Sequence, residues 1–263
     1  MQVIEQVGEL LRDIAEREVL PRFLRVGHTR KEDGSLLTEA DLACQSALEA
    51  ELPGILPYPV LGEEMTRQEQ DALWLRQLEG LWVVDPIDGT TNFINGLPHF
   101  AISVALMQNG RSTLGVIYNP MTQELYCATQ GGGAFLNGTP LPLKKNANPM
   151  SEAIAGLDLK YLCSARLAAR LNSVAPFGSQ RSMGSSTLDW CYLAAGRFDV
   201  YLHGGQRLWD YAAGALILEE AGGRLASLQQ DDFWSDVPWK RSVVAARDAE
   251  MFAQWHRWVR NNQ

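Results

Sequence analysis

The most constraining feature of this chain is an apolar run that ends in acid. Leu81-Trp82-Val83-Val84 leads directly into Asp85-Pro86-Ile87-Asp88-Gly89-Thr90-Thr91-Asn92-Phe93. A short apolar run bounded by turn formers reads as a buried strand, and this one delivers Asp85 at its end. Pro86 stiffens the exit by fixing its own φ. Asp88 follows three residues on, so a tight turn points both acids into one space. Gly89-Thr90-Thr91 then supplies flexible backbone and hydroxyls, as a helix start does, and backbone N–H groups at a helix N-terminus form a cradle for phosphate.

Two more sets of acids end or open elements in the same way. Val60-Leu61 is a second apolar run, ending in Gly62-Glu63-Glu64, and Asp210 lies in Trp209-Asp210-Tyr211-Ala212-Ala213-Gly214 at a helix start. Hard cations such as Mg²⁺ prefer carboxylate, carbonyl and water oxygens. A pair of them acting on a phosphate ester needs several acids from separate segments. Taken singly, each acid has a plainer reading. Asp-Pro and Asp-Gly are ordinary turn dipeptides, Asp210 suits an N-cap, and Glu63 with Glu64 suits a solvated pair. Acids at two strand ends beside a Gly-Thr-Thr helix start favour a metal–phosphate site over that combination.

The remaining pattern is that of a mixed α and β chain. Val3, Val7, Leu10, Leu11 and Ile14 fall at helical spacing, so a helix is expected over residues 3–20, ended by Pro21. Residues 27–35 read as a loop. Thr38-Glu39-Ala40-Asp41 resembles a capping box, with Asp in place of Glu, and opens a helix to about residue 51. Residues 101–143 have the punctuation of an antiparallel meander, with Asn109-Gly110 and Asn137-Gly138 as turns. Gly131-Gly132-Gly133 is read as a turn as well, since no helix follows it. Beyond Asn146 strands (153–156, 198–202, 242–246) alternate with helices (185–195, 210–221, 248–260). The shift near Asn146 divides the chain into residues 1–146, an α+β half with most of the acids, and residues 147–263, an α/β half with Asp210.

Composition excludes other classes. The chain has 263 residues, of which 46% are hydrophobic and 21% charged, enough to bury a core. No apolar run is long enough to span a bilayer, and the first residues lack the pattern of a signal peptide, so the expected location is the cytoplasm. Its net charge of −8 argues against a nucleic-acid partner, though not against an anionic substrate, because bound cations reverse the local sign. Cys44, Cys127, Cys163 and Cys191 are scattered and read as small buried hydrophobes. His28, His99 and His256 form no ligand spacing. Trp255, Trp258 and Phe252 on the last helix read as core, with part of that surface available to a dimer.

The chain resembles the inositol monophosphatase family of the lithium-sensitive, magnesium-dependent phosphatase superfamily. Gly62-Glu63-Glu64, the stretch from Asp85 through Phe93, and Trp209 through Gly214 running on to Glu220-Ala221-Gly222-Gly223 carry the resemblance. It implies a layered αβαβα sandwich of the inositol monophosphatase and fructose-1,6-bisphosphatase type. It also implies Mg²⁺, as two or three ions, and hydrolysis of a small phosphorylated alcohol by an activated water, with no phosphoenzyme. Glu63, Asp85 and the Ile87 carbonyl match ligands of one metal, and Asp85, Asp88 and Asp210 those of a second. Gly89 and Thr90 match phosphate-binding positions. Thr90 also matches the threonine that helps orient the attacking water, Asp41 an acid that bonds this threonine, and Glu63, counted with them as catalytic, the glutamate that also serves a third, weaker ion with waters completing its shell. Lys31 matches the lysine of a mobile loop. Gly184, Ser185 and Ser186 match a segment that touches the substrate alcohol, as do Asp88 and Asp210. A homodimer is implied too.

His203 departs from the family pattern. Inositol-specific relatives carry a glutamate there, accepting bonds from ring hydroxyls, whereas a neutral imidazole accepts only one. His203 is read either as a substrate contact or as structural. The alternatives are the same chemistry on fructose 1,6-bisphosphate, histidinol phosphate or a nucleotide phosphate, or a regulatory binding protein with secondary phosphatase activity.

Overall fold

The computed structural model describes residues 2–25, 27–30, 36–144, 148–235 and 238–263. Helix α1 (Gln2–Ile14) continues through a widened turn, Ala15–Val19, and a tight one, Leu20–Arg22, which holds Pro21. Its stripe of Val7, Leu11 and Ile14 is buried. Strands β1 (His28–Arg30) and β2 (Leu36–Thr38) pair antiparallel, so part of the expected loop is a small hairpin. Three-residue strands are too short to show a periodicity. Lys31 lies outside the described residues.

Thr38 caps helix α2 (Glu39–Ile55). Its hydroxyl accepts the N–H groups of Ala40 and Asp41, while Asp41 accepts the Thr38 N–H at 2.7 Å. The reciprocal cap therefore closes with aspartate. The helix runs past the expected end and tolerates Pro53 in its final turn, where a single ladder bond is lost.

The chain continues as β3 (Val60–Gly62), α3 (Arg67–Trp74), β4 (Leu81–Asp88), α4 (Thr90–Asn95), β5 (Ala101–Gln108), β6 (Arg111–Asn119), β7 (Glu124–Thr129), β8 (Gly133–Leu136) and β9 (Thr139–Pro140). These strands form a seven-stranded sheet in sequence order, parallel only between β3 and β4. The expected meander is present. Asn109 and Gly110 both take positive φ, 52° and 78°, which matches the twist of a two-residue hairpin.

Next come β10 (Ile154–Asp158), α5 (Ala165–Val174), β11 (Ser179–Arg181), α6 (Ser186–Ala194), β12 (Val200–Gln206), α7 (Leu208–Glu220), β13 (Arg224–Ala226), β14 (Arg241–Ala246) and α8 (Ala249–Asn262). The second sheet has the order β11-β10-β12-β14-β13, parallel for its first three strands and antiparallel beyond. Helices α3 and α5 were not apparent in the sequence. In α5 only Leu167 and Leu171 are buried, too few to mark a face. The suggested boundary, Asn146 and Ala147, lies outside the described residues.

Strand alternation builds the layers. Trp82 and Val84 of β4 face α1 and α2, in a core with Leu11, Leu48 and Val104. Leu81 and Val83 face the other way, onto Leu188, Trp190, Ala212 and Leu216 of α6 and α7. Tyr201, Val243 and Ala245 of the second sheet complete this middle core. Their strand neighbours Val200, Leu202 and Val244 pack outward on α5 and α8 through Leu167, Met251, Trp255 and Val259. The result is the expected α/β sandwich of five layers, αβαβα, with α6 and α7 shared by both sheets. Among the described residues no helix is long and apolar enough to cross a membrane.

Cys44 and Cys191 are buried, but Cys163 is exposed, so the reading of all four cysteines as buried hydrophobes fails there. Cys163 lies two residues before α5, at the end of the loop that follows β10, and Cys127 is half-buried.

Glu220 shows what the last signature stretch does structurally. Its two carboxylate oxygens accept the Gly131 and Gly133 N–H groups at 2.7 and 2.8 Å, clamping the glycine turn between β7 and β8 onto the end of α7. Charge-assisted bonds of this type are each worth about 1.5–3 kcal/mol where shielded, and less where water can replace them. Glu220→Ala is expected to lower stability by about 1–3 kcal/mol with kcat unchanged, measured by urea unfolding beside a rate assay.

Candidate active site

Asp85 and Asp88 reach one space by a different route from the expected turn. β4 stays a strand through Asp88, but its register against β5 slips. Asp85 pairs with Ser103, while Asp88 pairs with Ala101. Three steps on β4 therefore match two on β5, which is a bulge of one residue at Pro86-Ile87. In a regular strand residues three apart point to opposite faces. The extra residue restores both acids to the same side, and Pro86 suits the bulge because it has no N–H to pair.

Gly89 then takes φ +91° ahead of α4. A Cβ there would fall 3.1 Å from the His99 carbonyl and 3.2 Å from that of Gly184. Only glycine satisfies both the left-handed backbone and the close approach. Asn92 reinforces the junction, donating from Nδ2 to the carbonyls of His99 (2.7 Å) and Met183 (2.8 Å). It thereby ties α4 to the segment that precedes α6.

The pocket formed at this junction is lined by Glu63, Asp85, Ile87, Asp88, Gly89, Thr90 and Thr91 from the first half, and by Lys160, Gly184 and Asp210 from the second, with Leu36 at its edge. Glu63 follows directly on β3. Asp210 is the third residue of α7 rather than its N-cap, and its Oδ2 accepts the Arg207 N–H at 2.8 Å. One carboxylate oxygen from each of Asp85, Asp88 and Asp210 lies within 4.8 Å of the others.

The electrostatics of this cluster fit a cation. Burial, then the charges of Glu63, Asp88 and Asp210, push the Asp85 carboxyl well above its usual range. Burial, then Asp88 and Glu63, do the same for Asp210. Asp85 Oδ1 is buried and has no hydrogen-bond partner among the described residues. An orphaned carboxylate oxygen beside like charges is costly on its own. A divalent ion satisfies the oxygen and cancels the repulsion.

Hydrogen bonds aim these acids. Asp88 Oδ2 accepts from Ser185 Oγ (2.5 Å), Thr187 N (2.7 Å) and Thr187 Oγ1 (2.7 Å), which leaves Oδ1 for the pocket. Ser185 occupies the N-cap position of α6 but makes no cap bond with its side chain; its hydroxyl serves Asp88 instead. Thr187 was not singled out from sequence; its only signal is a hydroxyl two residues past the cap position. Asn92 lay within the motif but carried no assigned role.

Asp41 combines two functions. Beyond its capping bond, its Oδ1 lies 3.4 Å from Thr90 Oγ1, which also reaches the Ile87 carbonyl at 3.0 Å. Asp41 is fully buried behind the pocket wall. Gly184 lines the pocket, whereas Ser185, Ser186 and His203 do not.

His203, on β12, is only 4% exposed. Its Nδ1 accepts the Gly205 N–H at 3.0 Å, which puts the proton on Nε2, 3.7 Å from Asp158 Oδ2. Burial lowers its pKa, against the opposing pull of Asp158 and Asp88. Because the folded pKa lies below the unfolded value near 6.5, the neutral ring stabilises fully above about pH 6.5. That contribution is lost as pH falls toward the folded pKa. His203→Gln is expected to flatten the decline in stability between about pH 7 and pH 5, measured by denaturant midpoints. A residual slope should remain, since burial depresses His99 and His256 as well.

Known proteins are similar to this chain in sequence and fold. A model of the inositol monophosphatase family matches residues 1–260. The chain is 35% identical over 222 residues to inositol-1-monophosphatase of Mesorhizobium japonicum, covering 83% of this chain and 80% of that protein. It is 42% identical over 146 residues to Nus factor SuhB of Escherichia coli, 54% of each. The solved structure of an IMPase from Thermotoga maritima matches with a TM-score of 0.78 at 27% identity, covering 98% of this chain and all of that one. With a match over almost the whole length and a carboxylate pocket at the junction of its sheets, the chain belongs to the inositol monophosphatase family, metal-dependent phosphoric monoester hydrolases of phosphorylated small molecules.

Proposed function

We propose that the protein is a Mg²⁺-dependent phosphatase that hydrolyses inositol monophosphate or a similar small phosphorylated alcohol. The observation that carries the reading is the orphaned Asp85 Oδ1 inside the cluster of Asp85, Asp88 and Asp210. Glu63, Asp85, the Ile87 carbonyl, Asp88 and Asp210 would hold two or three ions. Bound there, the ions would supply Lewis acidity that activates a water and offsets charge on the departing oxygen.

The chain's own groups orient the rest. Thr90 Oγ1 donates to the Ile87 carbonyl or to Asp41 Oδ1, so its lone pairs remain free to accept from the attacking water. Two alternative acceptors let the hydroxyl keep this orientation when the Ile87 carbonyl serves another partner. The backbone of Gly89 and Thr90 holds the phosphate at the start of α4. Asp88, Asp210 and Gly184 border the alcohol, while the buried Ser185 hydroxyl aims Asp88 from behind.

The test is phosphate release with Mg²⁺ from inositol 1-phosphate beside sugar, amino-alcohol and nucleotide phosphates. Selective turnover of inositol 1-phosphate supports the full reading. Preference for another ester keeps the chemistry and changes the substrate, and no release from any ester contradicts the reading.

A regulatory role beside catalysis is the second reading, favoured by the similarity to proteins named Nus factor SuhB. Rescue of a deletion strain by the inactive Asp88→Asn protein would support it. Lithium inhibition, a cytoplasmic location and a homodimer belong to the same proposal; sedimentation velocity measures the last.

A further inference from the structure

We propose that Lys160 selects phosphate esters whose alcohol carries a second anionic group, a phosphate or a carboxylate. The inference rests on reading the carboxylate pocket as a phosphatase site, and it deepens that reading by naming the substrate class. The charged groups lining the pocket are Glu63, Asp85, Asp88, Asp210 and Lys160. The acids are committed to cations, and the Gly89–Thr90 backbone to the scissile phosphate. Lys160 is the one cationic side chain in that lining among the described residues, and it enters from the opposite half of the molecule.

Its backbone is held in place. Asp158, at the end of β10, accepts the Lys160 N–H at 2.9 Å on Oδ1 and faces His203 with Oδ2. The Lys160 ammonium lies 5.1 Å from the centre of the Tyr161 ring, and the Lys240 ammonium lies 5.3 Å from the same ring. β12 presses against this loop at Gly204, where a Cβ would fall 2.2 Å from the Leu162 nitrogen. The two ammonium groups thus share one aromatic ring beside the pocket-lining Lys160.

A glutamate projecting at the position of His203 would repel an anionic alcohol and accept from a neutral polyol. The imidazole is buried instead and turns its Nε2–H toward Asp158, the residue whose other oxygen holds the Lys160 N–H.

The test compares wild-type protein with Lys160→Met on three esters: inositol 1-phosphate, fructose 1,6-bisphosphate and 3-phosphoglycerate. Lys160 is exposed, so the variant is expected to fold. For the two anionic esters kcat/KM should fall about tenfold or more, mainly through KM, while inositol 1-phosphate changes less than about twofold. A loss confined to one anionic ester identifies the anion. An equal loss on all three would place Lys160 on the scissile phosphate and overturn the proposal, as would no loss at all. Calorimetric binding of the same esters with Ca²⁺ separates this question from turnover. If no ester is hydrolysed, the phosphatase reading fails, whereas unchanged affinities in Lys160→Met overturn the role of Lys160.

Discussion

Asp88→Asn is expected to yield a folded protein whose phosphate release falls by about a thousandfold or more, equivalent to roughly 4 kcal/mol of transition-state stabilisation. Asp88 Oδ2 receives three donors, two of them hydroxyls. An asparagine keeps one oxygen to accept them. Its Oδ1 then stays with Ser185 and Thr187, and the NH₂ group turns toward the pocket. A donor there repels a cation where the carboxylate offered a ligand. Folding survives because the hydroxyls of Ser185 and Thr187 can rotate, whereas the anionic oxygen has no substitute. Circular dichroism with a phosphate-release assay checks both halves. Wild-type turnover in a folded variant would remove Asp88 from the mechanism.

Asp85→Asn is expected to separate stability from activity. In the metal-free protein this carboxyl is buried, has an orphaned oxygen and sits among the charges of Glu63, Asp88 and Asp210. A neutral amide of the same shape relieves that repulsion. In EDTA the variant should therefore be more stable than wild type by about 1–3 kcal/mol, a rise in Tm of roughly 2–10 °C. Addition of Mg²⁺ should stabilise the wild type and leave the variant nearly unchanged. Activity should fall by at least the factor expected for Asp88→Asn. A variant that melts below wild type in EDTA would show that Asp85 acts in the fold and not as a metal ligand. Sites that store unfavourable electrostatics for function commonly show this trade of stability against activity.

Much of the architecture was legible because it depends on local signals. The Asn109-Gly110 turn, the reciprocal cap of Thr38 and Asp41, and the apolar strand before Asp85 each state their structure within a few residues. Short or weakly patterned elements escaped. β1 and β2 are stabilised by pairing with each other, and α5 buries only two leucines.

At the site, the acids were visible as acids, but what aims them was not. The bulge at Pro86-Ile87 appears only when β4 is set against β5. Asn92 and Thr187 act across 91 and 99 residues of sequence, and no local pattern announces such a bond. His203 marked a departure in the sequence, yet its partners come from the backbone of Gly205 and from the end of a neighbouring strand. Lys160 drew no notice, because a lone lysine in a loop has no motif to carry it.

On this reading the carboxylate pocket hydrolyses a phosphate ester only when it holds divalent ions. The direct measurement is phosphate release from inositol 1-phosphate by EDTA-stripped wild-type protein as Mg²⁺ is titrated back. No turnover is expected without metal, with full recovery as Mg²⁺ saturates the pocket and no recovery in Asp85→Asn. Turnover that persists in EDTA, or that Mg²⁺ restores equally in Asp85→Asn, would contradict it.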